Sequence, residues 1–197
     1  VLLNGIPIND QSTTNGAFDF GQDFMSNVTL IEVYKGSSGA HFGADSIGGA
    51  VNLITTVDHD NRLSFNGKNG GQSFKGNYTK ITDTGWQINV QGGVHEEETE
   101  SALKGGTDTD GVKNKSASLN IIKWLSDKLM FRTNIFTRNT LADLDGHSLA
   151  LQNGYDADNS LYAFQTGLDF TTVDTQNYIT FHTHEYDRDY NSPNNEL

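Results

Sequence analysis

Residues 33–55, VYKGSSGAHFGADSIGGAVNLIT, divide the chain into two architectures. They read as a strand ending at Lys35, a glycine-punctuated turn region, and a second strand from Gly49 to Thr55. Gly36, Gly39, Gly43, Gly48 and Gly49 cluster where the chain turns, as backbone with φ > 0 or close chain approach requires. The closing run Ala50-Val51-Asn52-Leu53-Ile54-Thr55 is short and rich in β-formers, the composition of a buried strand. Before this stretch the chain is irregular and rich in Gly and Asn. After it, a period of two takes over.

That period is seen at Leu63 and Phe65 against Arg62, Ser64 and Asn66. It recurs at Trp86, Ile88 and Val90 against Gln87, Asn89 and Gln91, and at Leu129, Phe131, Thr133 and Ile135 against Met130, Arg132 and Asn134. Tyr162, Phe164, Thr166, Leu168 and Phe170 alternate with Ala163, Gln165, Gly167 and Asp169, and Ile179 and Phe181 lie opposite Tyr178, Thr180, His182 and His184. Seven strands follow, near residues 61–67, 72–81, 85–95, 115–125, 128–138, 160–172 and 175–187. One face is polar throughout, as expected of a wall around a wet lumen. A two-sheet sandwich would alternate as well. The connections separate the two: tight turns at residues 82–85, 126–128 and 173–175 alternate with longer links at 95–114 and 139–160, the pattern of an outer-membrane barrel. A short link at residues 69–71 is the exception on the long side. Trp86 and Trp124 each lie within two residues of a short turn, where an amphipathic ring meets a membrane interface.

Composition narrows the classes. No run of about 18 apolar residues exists, so a transmembrane helix is excluded, while transmembrane strands escape that test. With no cysteine there is neither a disulfide framework nor a thiolate metal site. A net charge of −12, from 25 acidic and 13 basic residues, argues against nucleic-acid binding. The chain opens on a strand-like VLLNG without a signal-peptide pattern, which reads as truncation of a longer protein.

The sequence Glu32-Val33-Tyr34-Lys35-Gly36-Ser37-Ser38-Gly39-Ala40-His41-Phe42-Gly43, then Ser46-Ile47-Gly48-Gly49-Ala50-Val51-Asn52-Leu53-Ile54-Thr55, resembles the end of the plug domain of TonB-dependent outer-membrane receptors. Residues 1–8, VLLNGIPI, resemble that family's V-x-[LI]-D-G-[VI]-P strand and turn. Ser37 stands for the usual Pro, Phe42 for Tyr and Asn4 for Asp. The resemblance implies an all-β-dominated membrane protein. Residues 1–57 would be the C-terminal part of a plug, and residues 58–197 about seven antiparallel strands of a barrel that has about 22 when complete. It implies energy-dependent uptake of a scarce nutrient across a Gram-negative outer membrane. The implied partners are outer-membrane lipid and a TonB-type energy transducer, engaged through an N-terminal segment missing here.

The resemblance also points to site residues. In this family the loop corresponding to residues 9–24 lies at the plug apex and faces the ligand. Gln11, Ser12, Thr13 and Asn15 with Phe18 and Phe20 supply apolar contact and orienting hydrogen bonds there. The two Phe equally suit anchoring the loop to the plug core. Acidic residues crowd the longer links. Asp108-Thr109-Asp110-Gly111 resembles half of a calcium loop but lacks the bidentate Glu of an EF-hand, and a merely solvated acidic loop fits as well. The cobalamin receptors of this superfamily order two loops with calcium on aspartates at such positions. Asp108, Asp110 and Asp143 match, with Asp156 or Asp158, and Glu97 or Glu98, as partners. Calcium is then a structural ion, and no other cofactor is required. The ligand implied is cobalamin or a related corrinoid, with a ferric siderophore or haem as the alternative within the superfamily. A passive porin and a soluble β-sandwich binding module are the rivals outside it. His182 and His184 share a strand face but lack an identifiable third ligand, and His41 reads as a turn residue. Residues 36–39, GSSG, form neither a nucleophile elbow nor a phosphate loop, and no catalytic constellation is found. The chain does not read as an enzyme.

Overall fold

A computed structural model of the chain describes residues 1–9, 16, 18, 20, 28–37, 42–43, 46–55, 60–100, 109–144 and 154–191. Strands β1 (Leu2–Leu3), β2 (Ile6–Pro7), β3 (Leu30–Lys35) and β4 (Gly49–Ile54) form one sheet in the order β2-β1-β4-β3. β1 and β2 are joined by Asn4-Gly5, with φ of +50° and +84°. Two positive values in a two-residue loop give the type I′ turn, whose twist matches that of the flanking strands. β4 lies between β1, to which it runs parallel, and β3, to which it runs antiparallel. Its first residue has to be glycine: Gly49 has φ +133°, and a Cβ there would sit 2.4 Å from the Tyr34 carbonyl oxygen.

The second sheet holds seven antiparallel strands in sequence order: β5 (Arg62–Lys68), β6 (Gly71–Ile81), β7 (Trp86–Glu100), β8 (Thr109–Ser126), β9 (Leu129–Leu144), β10 (Tyr155–Thr171) and β11 (Gln176–Asn191). The tight turns at residues 82–85, 127–128 and 172–175 share one end, here the turn end. The number of strands agrees with the sequence reading, but their lengths do not. β7 continues to Glu100, β8 begins at Thr109, β9 runs to Leu144, β10 begins at Tyr155 and β11 reaches Asn191. Much of the expected links at 95–114 and 139–160 is therefore paired strand. The apolar alternation stops where the outer face becomes polar, whereas the backbone ladder, which ignores side-chain polarity, continues.

The two faces of this sheet are amphipathic in the sense opposite to a soluble protein. One face turns toward the small sheet and buries Asn89, Gln91, Asn114, Ser116, Ser118, Asn120, Asn134, Arg138, Thr140, Asn159 and Gln165. The other exposes Leu63, Phe65, Tyr78, Val90, Tyr162, Ile179 and Phe181, with Leu63 at 77% and Ile179 at 69%. Covering one such side chain with an apolar phase is favourable by about 1.5–3 kcal/mol, so water is the wrong solvent for this face. On β7 the apolar outer positions run from Trp86 to Val94 before Glu96 and Glu98 take over, which matches the ~9–11 residues that a tilted strand needs to cross a bilayer. Trp86 caps this band at the turn end, with the Lys123 ammonium 5.3 Å from its ring centroid. Trp124 departs from expectation. It pairs with Met130 on the inner face and lines a cavity with Arg132 and Asp169, so it does not share the outer face with Trp86.

The core lies between the two sheets. Leu3, Ile6, Ile8 and Leu53 of the small sheet and its flanks pack on Phe136, Leu161 and Ala163 of the wall, with Val1, Phe18, Val28, Val51 and Tyr186 against them.

Candidate functional site

Because side chains alternate along a strand, inner-face positions at one level of neighbouring strands form a row across the wall. One such row consists of the amides of Asn89, Asn120, Asn134 and Gln165, which Asn77 joins diagonally from the next level. Asn89 Nδ2 donates to Asn77 Oδ1 at 2.6 Å, Asn120 Nδ2 to Asn89 Oδ1 at 3.2 Å, and Asn134 Nδ2 to Asn120 Oδ1. The last acceptor, Asn134 Oδ1, receives Asn4 Nδ2 from the type I′ turn of the small sheet at 3.3 Å. Gln165, opposite Asn134, donates Nε2 to the Asn4 carbonyl at 3.3 Å. Asn4 is fixed from its own side too, with Nδ2 donating to Thr55 Oγ1 (2.8 Å) and Oδ1 accepting from the Thr55 amide (2.9 Å). A cavity of about 280 Å³ adjoins this seam, bordered by Asn4, Asn52, Asn120, Arg132, Asn134 and Gln165. Arg132 uses all three of its nitrogens there, donating to both Asp169 oxygens at 3.1 Å, to Gln165 at 2.9 Å and to Thr180 at 2.7 Å.

Farther from the turn end, the inner face carries an arginine–tyrosine cluster. Tyr186, Arg188 and Tyr190 follow one another at every second position of β11. Arg188 donates Nε to Asn159 Oδ1 at 2.7 Å and its terminal nitrogens to the Tyr186 and Tyr190 hydroxyls, with its guanidinium 5.2 Å from the Tyr186 ring centroid. Arg138, buried on β9, approaches the other side of this group, 5.8 Å from the same ring. Phe18, between β2 and β3, packs against the same core cluster as Tyr186. Aromatic planes, a guanidinium and an exposed Tyr190 thus share the inner face beside the core cluster that Phe18 joins. Such a surface holds a flat or amide-rich ligand by ring contact and hydrogen bonds. The sequence reading missed it because it ended the last strand near residue 187. Continuing the inner-face series from His182 and His184 to Tyr186, Arg188 and Tyr190 would have exposed it.

The residues expected at the site are distributed as follows. Gln11, Ser12, Thr13, Asn15, His41 and Asp108 lie outside the described residues. Phe18 and Phe20 meet edge-on, with centroids 4.8 Å apart and planes at 69°. They divide the two readings between them: Phe18 is an anchor in the core, while Phe20 is 59% exposed. The carboxylates do not converge. Glu97 and Asp110 fall on the inner face, whereas Asp143 touches Gly111 on the outer face and stands directly opposite Asp156. Asp158 shares that outer face and stands opposite Asp189. Each has its own donor: the Gly111 amide for Asp143, Asn191 for Asp156, Asn139 for Asp158 and Lys68 for Glu97. Donation from Lys68 holds the Glu97 pKa below its ordinary value, with His95 adding a smaller pull. Among the described residues no three His, Asp or Glu side chains are grouped to hold a metal ion, and Asp108 lies outside those residues.

Comparison with known proteins bears on the same elements. Residues 1–50 match the family model of the TonB-dependent Receptor Plug Domain. The vitamin B12 transporter BtuB of Photobacterium profundum is 42% identical over 55 residues, a stretch covering 28% of this chain and 9% of that protein. The first quarter of the chain is thus similar to the plug segment of TonB-dependent receptors, and the seven-stranded antiparallel sheet that follows is consistent with a fragment of a β-barrel membrane protein.

Proposed function

We propose that this chain is part of a TonB-dependent outer-membrane receptor that captures a scarce nutrient, cobalamin or a related corrinoid, for active uptake. In this reading residues 1–57 belong to the plug and residues 58–197 to the barrel wall. The observation that carries it is the seam: a plug-type sheet hydrogen-bonded to the polar face of a wall whose opposite face is apolar. A lumen blocked by its own plug does not conduct passively, so passage requires work on the plug. A TonB-type transducer, engaged elsewhere in the full protein, would supply it. A passive porin has no use for the plug, and a soluble sandwich would bury the face that carries Leu63, Phe65 and Ile179. The chain's part is capture and gating, with no catalytic step.

The cobalamin assignment is supported by the relative named above and by the chemistry of the Tyr186–Arg188–Tyr190 surface beside Phe18 and Phe20. A corrinoid offers a broad ring system edged with amides and a phosphodiester. A ferric siderophore or haem is the second reading, since rings and guanidinium also suit catecholates and carboxylates. The experiment is equilibrium binding of the full-length receptor to cobalamin, ferric siderophores and haem, with and without calcium. Tight cobalamin binding, weakened about tenfold by Arg188→Ala, is expected. Absence of cobalamin binding with retention of an iron chelate moves the assignment to the second reading.

A further inference from the structure

We infer that the outer face of the wall carries a binding groove for one phosphate-bearing membrane lipid, with an acyl chain along the groove and the phosphate at Lys115. The inference rests on the membrane-barrel reading above. A groove of about 710 Å³ crosses strands β5 to β9 on the face turned away from the plug. Its floor is the row Gly76, Gly92, Ala117 and Thr137, which stand directly opposite one another on four successive strands. Its sides are the neighbouring rows, Tyr78 and Val90 toward the turn end and Phe74 and Val94 on the far side.

The depth is not a by-product of backbone strain. Gly92 does not have the left-handed backbone that demands glycine, and a Cβ there would meet only the Ser116 carbonyl oxygen at an ordinary 3.6 Å. Glycine within a strand forgoes β-propensity and side-chain packing, and marks places where another group approaches closely. Five strands at ~4.8 Å spacing make the groove roughly 19 Å long.

The far edge of the groove names the head group. Val94 is the last apolar outer residue of β7, so this edge lies at the boundary of the apolar band. Lys115 stands opposite Val94 and Asn139 there, and both Lys115 and Asn139 line the groove. Lys113 follows two positions on, on the same face, opposite Glu96, whose carboxylate accepts from Gln72 at 3.1 Å. Neither lysine is in an ion pair among the described residues. In a chain of net charge −12, an ammonium on the far edge of an apolar trough complements an anionic amphiphile.

The test is native mass spectrometry of the full-length receptor from mild detergent, offered dioleoylphosphatidylglycerol or dioleoylphosphatidylcholine. One phosphatidylglycerol retained in preference to phosphatidylcholine is expected. Lys115→Gln, an exposed substitution, should lower that preference about fivefold, the effect of about one basic residue near an anionic surface. Gly92→Leu fills the floor and should remove retention of both lipids. Equal retention of the two lipids, unchanged retention in Gly92→Leu, or coverage of this face by a second copy of the chain would overturn the inference. Cobalamin binding by the same preparations is read separately, so loss of the lipid site leaves the receptor assignment standing. A full-length protein that needs no detergent removes both.

Discussion

Asn4→Ala attacks the seam at the residue that belongs to both sheets. Three losses add up. Asn4 has φ +50°, a region that Asn tolerates and Ala enters at a cost of about 1 kcal/mol. The Thr55 amide loses the acceptor it holds at 2.9 Å in a fully buried residue, and an orphaned buried donor costs about 1–3 kcal/mol. The Asn4 Nδ2 bonds to Thr55 Oγ1 and Asn134 Oδ1 go as well, the first worth about 1 kcal/mol and the longer second less. Water from the adjoining 280 Å³ cavity can reach part of the exposed polar surface, so the net loss is about 3 kcal/mol. Local opening of the small sheet then becomes about 100-fold more frequent. Hydrogen exchange of the full-length receptor in detergent reads this directly at the Thr55 amide, with Ile179 on the outer wall as the unaffected reference. Asn4→Asp keeps the turn conformation and the Thr55 acceptor but loses both donors, and should accelerate exchange only about fivefold to tenfold. An acceleration below fivefold in Asn4→Ala, or equal effects of the two substitutions, would refute the reasoning.

Two other perturbations test separate parts of the structure. Gly49→Ala places a methyl 2.4 Å from the Tyr34 carbonyl oxygen on a backbone at φ +133°, so β4 must separate from β3 at its first pair. The expected loss of about 2–3 kcal/mol should appear as faster proteolysis within residues 30–55, with the wall unchanged. Glu97 has a lowered pKa because Lys68 donates to it. That contribution to folding is fully present above the ordinary carboxylate value and disappears as pH falls through the lowered one. Protection of the β5–β6 hairpin amides, corrected for the intrinsic exchange rate at each pH, should therefore fall on acidification in the native protein, and Glu97→Gln should remove that dependence.

The plug turn and its glycines were legible because their constraint is local: a type I′ loop and a close approach at Gly49 demand particular residues at particular places. The number of wall strands was legible for the same reason, since an apolar face against lipid has to alternate. What was lost lies beyond the apolar band. There the outer positions become Asp156 and Asp158, Glu96 and Glu98, or Asp187 and Asp189, still two residues apart, but the eye reads D-x-D as a loop. Strand register then decides which carboxylates meet. It sets Asp143 against Asp156 and Asp158 against Asp189, and leaves Glu97 and Asp110 on the other side of the wall. The meeting of Arg188 with Asn159, 29 residues apart in the chain, depends on that register as well.

The amide row has a consequence for assembly. A slip of one residue between any two wall strands would turn one strand's row member out of the lumen and toward hydrocarbon. An amide stranded there without a partner costs roughly 2–7 kcal/mol, and its former neighbours lose their acceptor or donor besides. With Asn77, Asn89, Asn120 and Asn134 linked in series on four consecutive strands, one misaligned strand breaks bonds on both of its sides. The row therefore marks register: its bonds, and the one it makes to Asn4 of the small sheet, can all form only when every strand is aligned.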